Sequence, residues 1–286
     1  MLQAKLGGRN QVHQLDADGQ HRLKRRGRLR RELGHAIESR LLSAAYQPLW
    51  DVRRHCMAGV EWLARWHDAE LGWVSPADFI PVAEESGQIR ALGDWAVREA
   101  VGAALALRAA GRWADDLRIS VNVSMVQLGD PQLVERLTGA VAEAGGQPAW
   151  LELELTESVQ LAEDPMVQSR MRRLREAGFN LAIDDFVAGY SSFSYLNRDY
   201  FDRLKIDRAL VQAAIGASDR SAVAGSIILM AQRLGLQVVA EGIETAEQIE
   251  LLAAQDCDIL QGYYIARPMP LQQLLAWRWD GNQDRR

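Results

Sequence analysis

The 286-residue chain carries 33 Lys and Arg against 38 Asp and Glu, a net charge of −5, and nearly half of it is apolar. This is the balance of a globular protein, long enough for one barrel or two smaller domains. No apolar run reaches the roughly 18–20 residues of a membrane span, and the N-terminus has no signal-peptide core, so a cytoplasmic chain without a membrane segment is expected. Only two cysteines occur, Cys56 and Cys257. That is too few for a disulfide framework, and both are expected to be small buried residues.

Residues 1–28 are polar and punctuated by glycine, and seven of the ten residues from Arg22 to Arg31 are basic. No aromatic residues interleave these charges for base stacking, so a solvated linker helix is expected and neither DNA nor RNA binding is. From about Leu29 short apolar runs alternate with amphipathic stretches. Strands are expected at Ala45–Asp51, Met57–Trp66, Leu117–Ser124, Trp150–Thr156, Asn180–Asp185, Asp202–Ile206, Gln237–Glu241 and Ile259–Tyr263. Helix ends are marked between them. Ser75-Pro76-Ala77-Asp78 supplies a cap, a first-position proline and an early acid, and Thr245 with Gln248 forms a capping box. Helices over Met166–Ala177 and Ala222–Leu234 should stop at Gly178 and Gly235. Eight strands alternating with helices predict an α/β fold, a TIM-like (β/α)8 barrel. The absence of a glycine-rich dinucleotide turn argues against a doubly wound sheet.

A barrel enzyme builds its site where strands end. The expected strands carry Glu61, Asn122, Glu154 with Glu157 just beyond, Asp184-Asp185, Lys205, Glu241 and Gln261 at or near their ends. Unpaired buried carboxylates cost several kcal/mol, so acids within apolar strands require cations or strong donors. Any one of them could be a structural ion pair, but five carboxylates and an asparagine at successive strand ends point to a metal centre. Hard oxygen ligands with no His or Cys at ligand spacing suit Mg²⁺ or Mn²⁺. The histidines, His13, His21, His35, His55 and His67, are scattered. Two adjacent aspartates can serve a pair of ions, the arrangement used for in-line displacement at a phosphodiester, and Lys205 would balance charge there.

The same residues carry a resemblance. From Arg31 to Trp277 the chain resembles the EAL-domain family of c-di-GMP phosphodiesterases. The matches are Tyr46-Gln47-Pro48-Leu49, Gly59-Val60-Glu61-Trp62-Leu63-Ala64-Arg65-Trp66, Val121-Asn122-Val123-Ser124, Glu154-Leu155-Thr156-Glu157, Asp184-Asp185-Phe186, Leu204-Lys205-Ile206-Asp207, Ala240-Glu241-Gly242-Ile243-Glu244 and Gln261-Gly262-Tyr263, in that order. The resemblance implies a barrel whose first strand runs antiparallel, and hydrolysis of c-di-GMP to linear pGpG in a homodimer with two divalent cations. It implies one metal held by Glu61, Asn122, Glu154 and Asp184, and a second held by Asp184, Asp185 and Glu241. Lys205 and Gln261 would position the water, Gln47, Leu63 and Arg65 would contact the dinucleotide, and Glu157 would brace a loop. A catalytically silent c-di-GMP receptor using the same pocket is the alternative.

Residues 1–12 resemble the end of a GGDEF diguanylate cyclase domain. The expected organisation is therefore a GGDEF-like tail and basic linker over 1–30, the barrel over 31–280 and a polar tail over 281–286. Three positions depart from the family pattern: Trp62, Val187-Ala188 and Tyr200. Trp62 should point towards the surrounding helices, away from Glu61. Val187-Ala188 replaces residues that are commonly Gly-Thr, and is expected to affect activity or its regulation. Tyr200 should alter only a turn.

Overall fold

The computed structural model describes residues 17–39, 41–114, 116–156, 164–186, 200–216 and 218–279. The expectations for Glu157, for Val187-Ala188 and for the two chain ends, 1–16 and 280–286, lie outside the described residues.

In chain order the elements are helix α1 (Ala17–Glu38), strands β1 (Leu42–Asp51), β2 (Cys56–Asp68) and β3 (Gly72–Val74), helices α2 (Pro76–Ser86) and α3 (Ile89–Ala109), strand β4 (Arg118–Asn122), helices α4 (Met125–Leu128) and α5 (Leu133–Glu143), and strand β5 (Leu151–Thr156). Helix α6 (Pro165–Glu176), strands β6 (Asn180–Phe186) and β7 (Arg203–Ile206), helices α7 (Arg208–Gly216) and α8 (Ser218–Arg233), strand β8 (Gln237–Ala240), helix α9 (Ala246–Ala254), strand β9 (Ile259–Leu260) and helix α10 (Leu271–Ala276) follow.

Eight strands close into a barrel. The order β1-β9-β8-β7-β6-β5-β4-β2 is sealed by pairing of β1 with β2, and β1 runs antiparallel to both of its neighbours. The remaining neighbours pair in parallel. The expected TIM-like barrel with a reversed first strand is the fold observed. β3 was not anticipated. It is a three-residue antiparallel addition to the far end of β2, outside the barrel wall.

The expected caps form. Ser75 Oγ accepts from the Ala77 amide ahead of Pro76. Thr245 and Gln248 complete a capping box at the start of α9. Gly178 and Gly235, both at positive φ, follow the ends of α6 and α8. Helix α3 turns a face of small and aliphatic residues, Leu92, Ala96, Val97, Ala100, Ala103, Ala104 and Leu107, into the core. Burying such a stripe contributes about 25 cal/mol per Å² of apolar surface removed from water.

The basic stretch lies in α1, which runs across residue 30 and is docked on the barrel. Leu29, Leu33 and Ala36 are buried along one side, while Arg25, Arg26 and Arg28 pair with Asp78, Glu85 and Glu70. The expectation of a solvated helix fails because an i, i+4, i+7 apolar edge is hidden among the arginines. Trp62 points outward as expected, buried edge-on against Trp95 of α3 at 5.1 Å between ring centroids.

Candidate active site

Alternation along strands decides which groups enter the barrel mouth. Glu61, Leu63 and Arg65 share one face of β2, while Trp62, Ala64 and Trp66 of the other face are buried against the helices. Gln47 of β1 lies directly opposite Glu61 in the antiparallel pair. Asn122 ends β4 in register with Glu154 of β5. Glu241 and Gln261 follow immediately after β8 and β9, so their positions belong to the loops, where the expected strands had included them. All lie at the end of the barrel to which the parallel strands run.

The centre is Lys205. Its fully buried ammonium lies 2.6 Å from Glu241 Oε1, 2.7 Å from Glu154 Oε2, 3.2 Å from Asp184 Oδ1 and 4.0 Å from Glu61 Oε2. Glu61 is also gripped from both sides. Gln261 Nε2 donates to Oε2 at 2.6 Å and Asn122 Nδ2 donates to Oε1 at 3.2 Å. Gln261 Nε2 reaches Gln47 Oε1 at 3.2 Å, and Gln47 Nε2 in turn donates to the Ala266 carbonyl at 3.0 Å. This network fixes the Glu61 rotamer before any ligand arrives.

Charge in the site is unbalanced. Burial pushes Glu154 well above the usual carboxylate range, against the pull of Lys205. Burial also pushes Glu241 up to about 7, with Lys205 again opposing and Asp184 and Glu61 adding to the rise. Asp185 is raised by burial and by Asp184. Burial acts to lower Lys205, yet Glu154, Glu241, Glu61 and Asp184 together hold it well above its ordinary value.

The adjacent aspartates reach one site because β6 is irregular. Against β7, Ile183 pairs with Leu204 and Phe186 with Ile206, so Asp184 and Asp185 together face Lys205 alone. Asp185 takes φ 57°, the left-handed conformation that inserts an extra residue into a strand. In a regular strand the two carboxylates would point to opposite faces. Here ligand atoms of Asp184, Asp185 and Glu241 lie within 4.8 Å of one another.

The oxygens fit a cation. Four carboxylates, those of Glu61, Glu154, Asp184 and Glu241, surround one ammonium, and Asp185 adds a fifth beside Asp184 and Glu241. Glu154 Oε1 is buried without a hydrogen-bond donor among the described residues, and Asp184 Oδ1 has only the Lys205 ammonium at 3.2 Å, without hydrogen-bond geometry. All the free donors are hard oxygens, as Mg²⁺ or Mn²⁺ prefers. Glu152 makes a useful contrast. It points into the same barrel one layer lower, where two arginines balance its charge: Oε1 takes Ser120 Oγ at 2.9 Å and Arg203 at 3.2 Å, and Oε2 lies 3.5 Å from Arg118. It is a structural ion cluster.

The structure thus brings together Gln47, Glu61, Asn122, Glu154, Asp184, Asp185, Lys205, Glu241 and Gln261. Leu63 and Arg65 stand apart from this cluster, lining an apolar cavity of about 320 Å³ that also contacts Asn122 and Thr156. Burial lowers the Arg65 guanidinium, and its Nη1 donates to the Ala64 carbonyl at 2.9 Å. Two mouth residues were given no role from the sequence. Arg208 and Tyr263 line a cavity of about 190 Å³ over Glu61, Glu241 and Gln261. Their signal was positional, since each follows a strand by two or three residues. Arg208 pairs with Glu244 at 2.7 Å, and its stem lies where a Cβ at Gly242 would stand, at a backbone φ of 71°. Only glycine fits there.

A closed barrel with a reversed first strand carries at its mouth a cluster of carboxylates organised on a buried lysine, a ligand set for divalent cations. The comparisons narrow the class: the EAL domain model matches residues 30–268, and the chain belongs to that family. It is 36% identical over 282 residues to the cyclic di-GMP phosphodiesterase NbdA of Pseudomonas aeruginosa, covering 97% of this chain and 36% of that protein. It is 36% identical over 284 residues to the bifunctional diguanylate cyclase/cyclic di-GMP phosphodiesterase MucR of the same organism, covering 96% of this chain and 40% of that one. The chain therefore spans well under half the length of these relatives. Among solved structures, the c-di-GMP complex of the PaMucR phosphodiesterase superposes with a TM-score of 0.80 at 36% identity, covering 86% of this chain and 99% of that chain.

Proposed function

We propose that the chain hydrolyses one phosphodiester of c-di-GMP to give linear pGpG. The observation that carries this reading is the Lys205 centre, with its surplus of buried carboxylate oxygens at the mouth of an EAL barrel. Glu61, Asn122, Glu154 and Asp184 would hold one divalent cation, and Asp184, Asp185 and Glu241 a second. Bound there, Mg²⁺ or Mn²⁺ would supply Lewis acidity at the phosphate. The chain's own contribution is positional. Lys205 keeps four carboxylates converging on one point, while Gln261 and Asn122 hold Glu61 in place. Gln47 and Gln261 would orient the dinucleotide over these groups, and Leu63 and Arg65 would receive its flank. Water would deliver its oxygen to phosphorus, the bond from phosphorus to the 3′ oxygen would break, and that oxygen would leave with the proton.

The similarity to NbdA, and to MucR with both activities in its name, supports the reading of a phosphodiesterase module preceded by a cyclase-like domain in a longer protein. A homodimer in the cytoplasm remains part of the proposal; among the described residues no helix is long and apolar enough to cross a membrane. The test is product analysis of purified protein with c-di-GMP and Mg²⁺ or Mn²⁺, beside a chelator control and Glu61→Ala. Metal-dependent pGpG that disappears in the variant supports the proposal. Tight c-di-GMP binding without product would instead identify a silent receptor.

A further inference from the structure

The opposite end of the barrel holds a third pocket, of about 390 Å³. It is formed where β1 turns into β2, where α3 connects to β4, and where the chain passes over after α10. Trp50, Trp113, Trp277 and Trp279 supply indole walls, and Arg112 and Arg278 supply two guanidiniums. Trp277 and Trp279 both stand edge-on to Trp50, with centroids 6.1 and 4.7 Å away.

The charges are placed unusually. Arg112 Nη2 donates to the Trp277 carbonyl at 2.7 Å, and Arg278 Nη1 donates to the same oxygen at 2.8 Å. Two cations converge on one neutral acceptor, and no carboxylate among the described residues pairs with either. Arg112 Nε and Trp279 Nε1 are buried donors without a partner among the described residues. A guanidinium has five N–H donors in a fork that matches a phosphate, so two that meet on one carbonyl keep donors for an anion. Burial, reinforced by the Arg278 charge, holds Arg112 below its ordinary value.

From this convergence we infer that the pocket is a binding site for a purine nucleoside monophosphate. The dianionic phosphate would balance the two guanidiniums, taking hydrogen bonds from their Nη groups, and the base would lie against the indoles. The volume falls in the range of about 300–1,000 Å³ typical of small-ligand sites, at the small end, which favours a mononucleotide over a dinucleotide. The site is remote from the carboxylate mouth, so it is a second nucleotide site on the same barrel.

The test is titration of the intact protein with GMP, read by tryptophan fluorescence and by calorimetry, with guanosine and inorganic phosphate as separate probes. Saturable quenching by GMP is expected, with each half-probe at least about tenfold weaker. Arg278 is solvent-exposed, so Arg278→Gln should fold normally, weaken GMP by about tenfold or more, and leave c-di-GMP hydrolysis unchanged. Trp279→Ala, close to the chain end, should weaken GMP but not phosphate. The inference is overturned if GMP shows no saturable binding, or if phosphate alone binds as tightly as GMP. It is also overturned if GMP binding survives Arg278→Gln and is lost in Glu61→Gln, which would place the nucleotide in the carboxylate mouth.

Discussion

Replacing Lys205 by Met keeps most of the side-chain volume and removes the ammonium that sits 2.6 Å from Glu241 and 2.7 Å from Glu154. Breaking a buried ion pair by deleting one partner costs about 3–5 kcal/mol, because the remaining charge is left in a poor solvent. Here the acids have an escape: burial already raises Glu154, and brings Glu241 to about 7, so without Lys205 they take up protons. The sign follows from linkage. A carboxyl whose folded pKa exceeds its unfolded value contributes stability that is complete below about 4.5 and is lost as pH rises through its folded pKa. In the metal-free wild type the Glu241 contribution therefore fades between roughly pH 4.5 and 7, by on the order of 3 kcal/mol. Lys205→Met should push these values higher still. The metal-free variant is expected to be close to wild type at pH 5 and to melt roughly 10 °C lower at pH 8. Differential scanning fluorimetry in a chelating buffer at the two pH values measures this directly. A variant destabilised equally at both, or more at pH 5, would refute the account of Lys205 as the counter-ion of ionised acids.

Metal should act in the opposite sense to protons. The rise in melting temperature on adding Mn²⁺ is expected to be larger at pH 8 than at pH 5.5, since ions displace the protons that Glu241 and Glu154 hold in acid; calorimetry at both pH values checks it. Asp184→Asn should abolish pGpG formation while the barrel still melts cooperatively, as read by product chromatography and circular dichroism. Asp185→Gly should separate stability from activity. Relief of the positive φ is worth up to about 1 kcal/mol, yet the loss of a carboxylate should cost turnover. Glu152→Ala should leave the mouth intact but strip Arg203 of its buried partner, lowering stability by about 3–5 kcal/mol in a denaturant titration with little change in metal affinity.

Much of this was legible because barrels write their chemistry at strand ends. Acids inside otherwise apolar strands, such as Glu154, could not be explained by packing, and their order along the chain is their order around the mouth. What periodicity could not show were the departures from it. Alternation treats Glu152 and Glu154 alike, since both face inward. Only the three-dimensional neighbourhood reveals that Arg203 and Arg118 neutralise the first, while the second shares a single lysine with Glu61, Asp184 and Glu241. β3 was missed because three residues carry too little pattern to register. Helix α1 read as solvated because its arginines dominate the composition, while their partners Asp78, Glu85 and Glu70 are more than 40 residues away. Arg208 was passed over because it reaches the mouth from the first position of helix α7, and Tyr263 because it was read as the end of a strand that in fact stops at Leu260.

A closed barrel has a fixed number of seats around its rim, because each regular strand turns only every second residue inward. Eight strands cannot seat more side chains at one level without becoming a wider ring. The irregularity at Asp184 and Asp185 breaks that arithmetic. By doubling the residues that β6 sets opposite Lys205, it adds a seat to the rim at the cost of a one-residue shift against β7, while the strand count and the β5–β6 register stay as they are. Ligand number at the mouth is thereby uncoupled from the architecture of the wall, and a change of one backbone angle in one residue separates a rim with one aspartate at this strand from a rim with two.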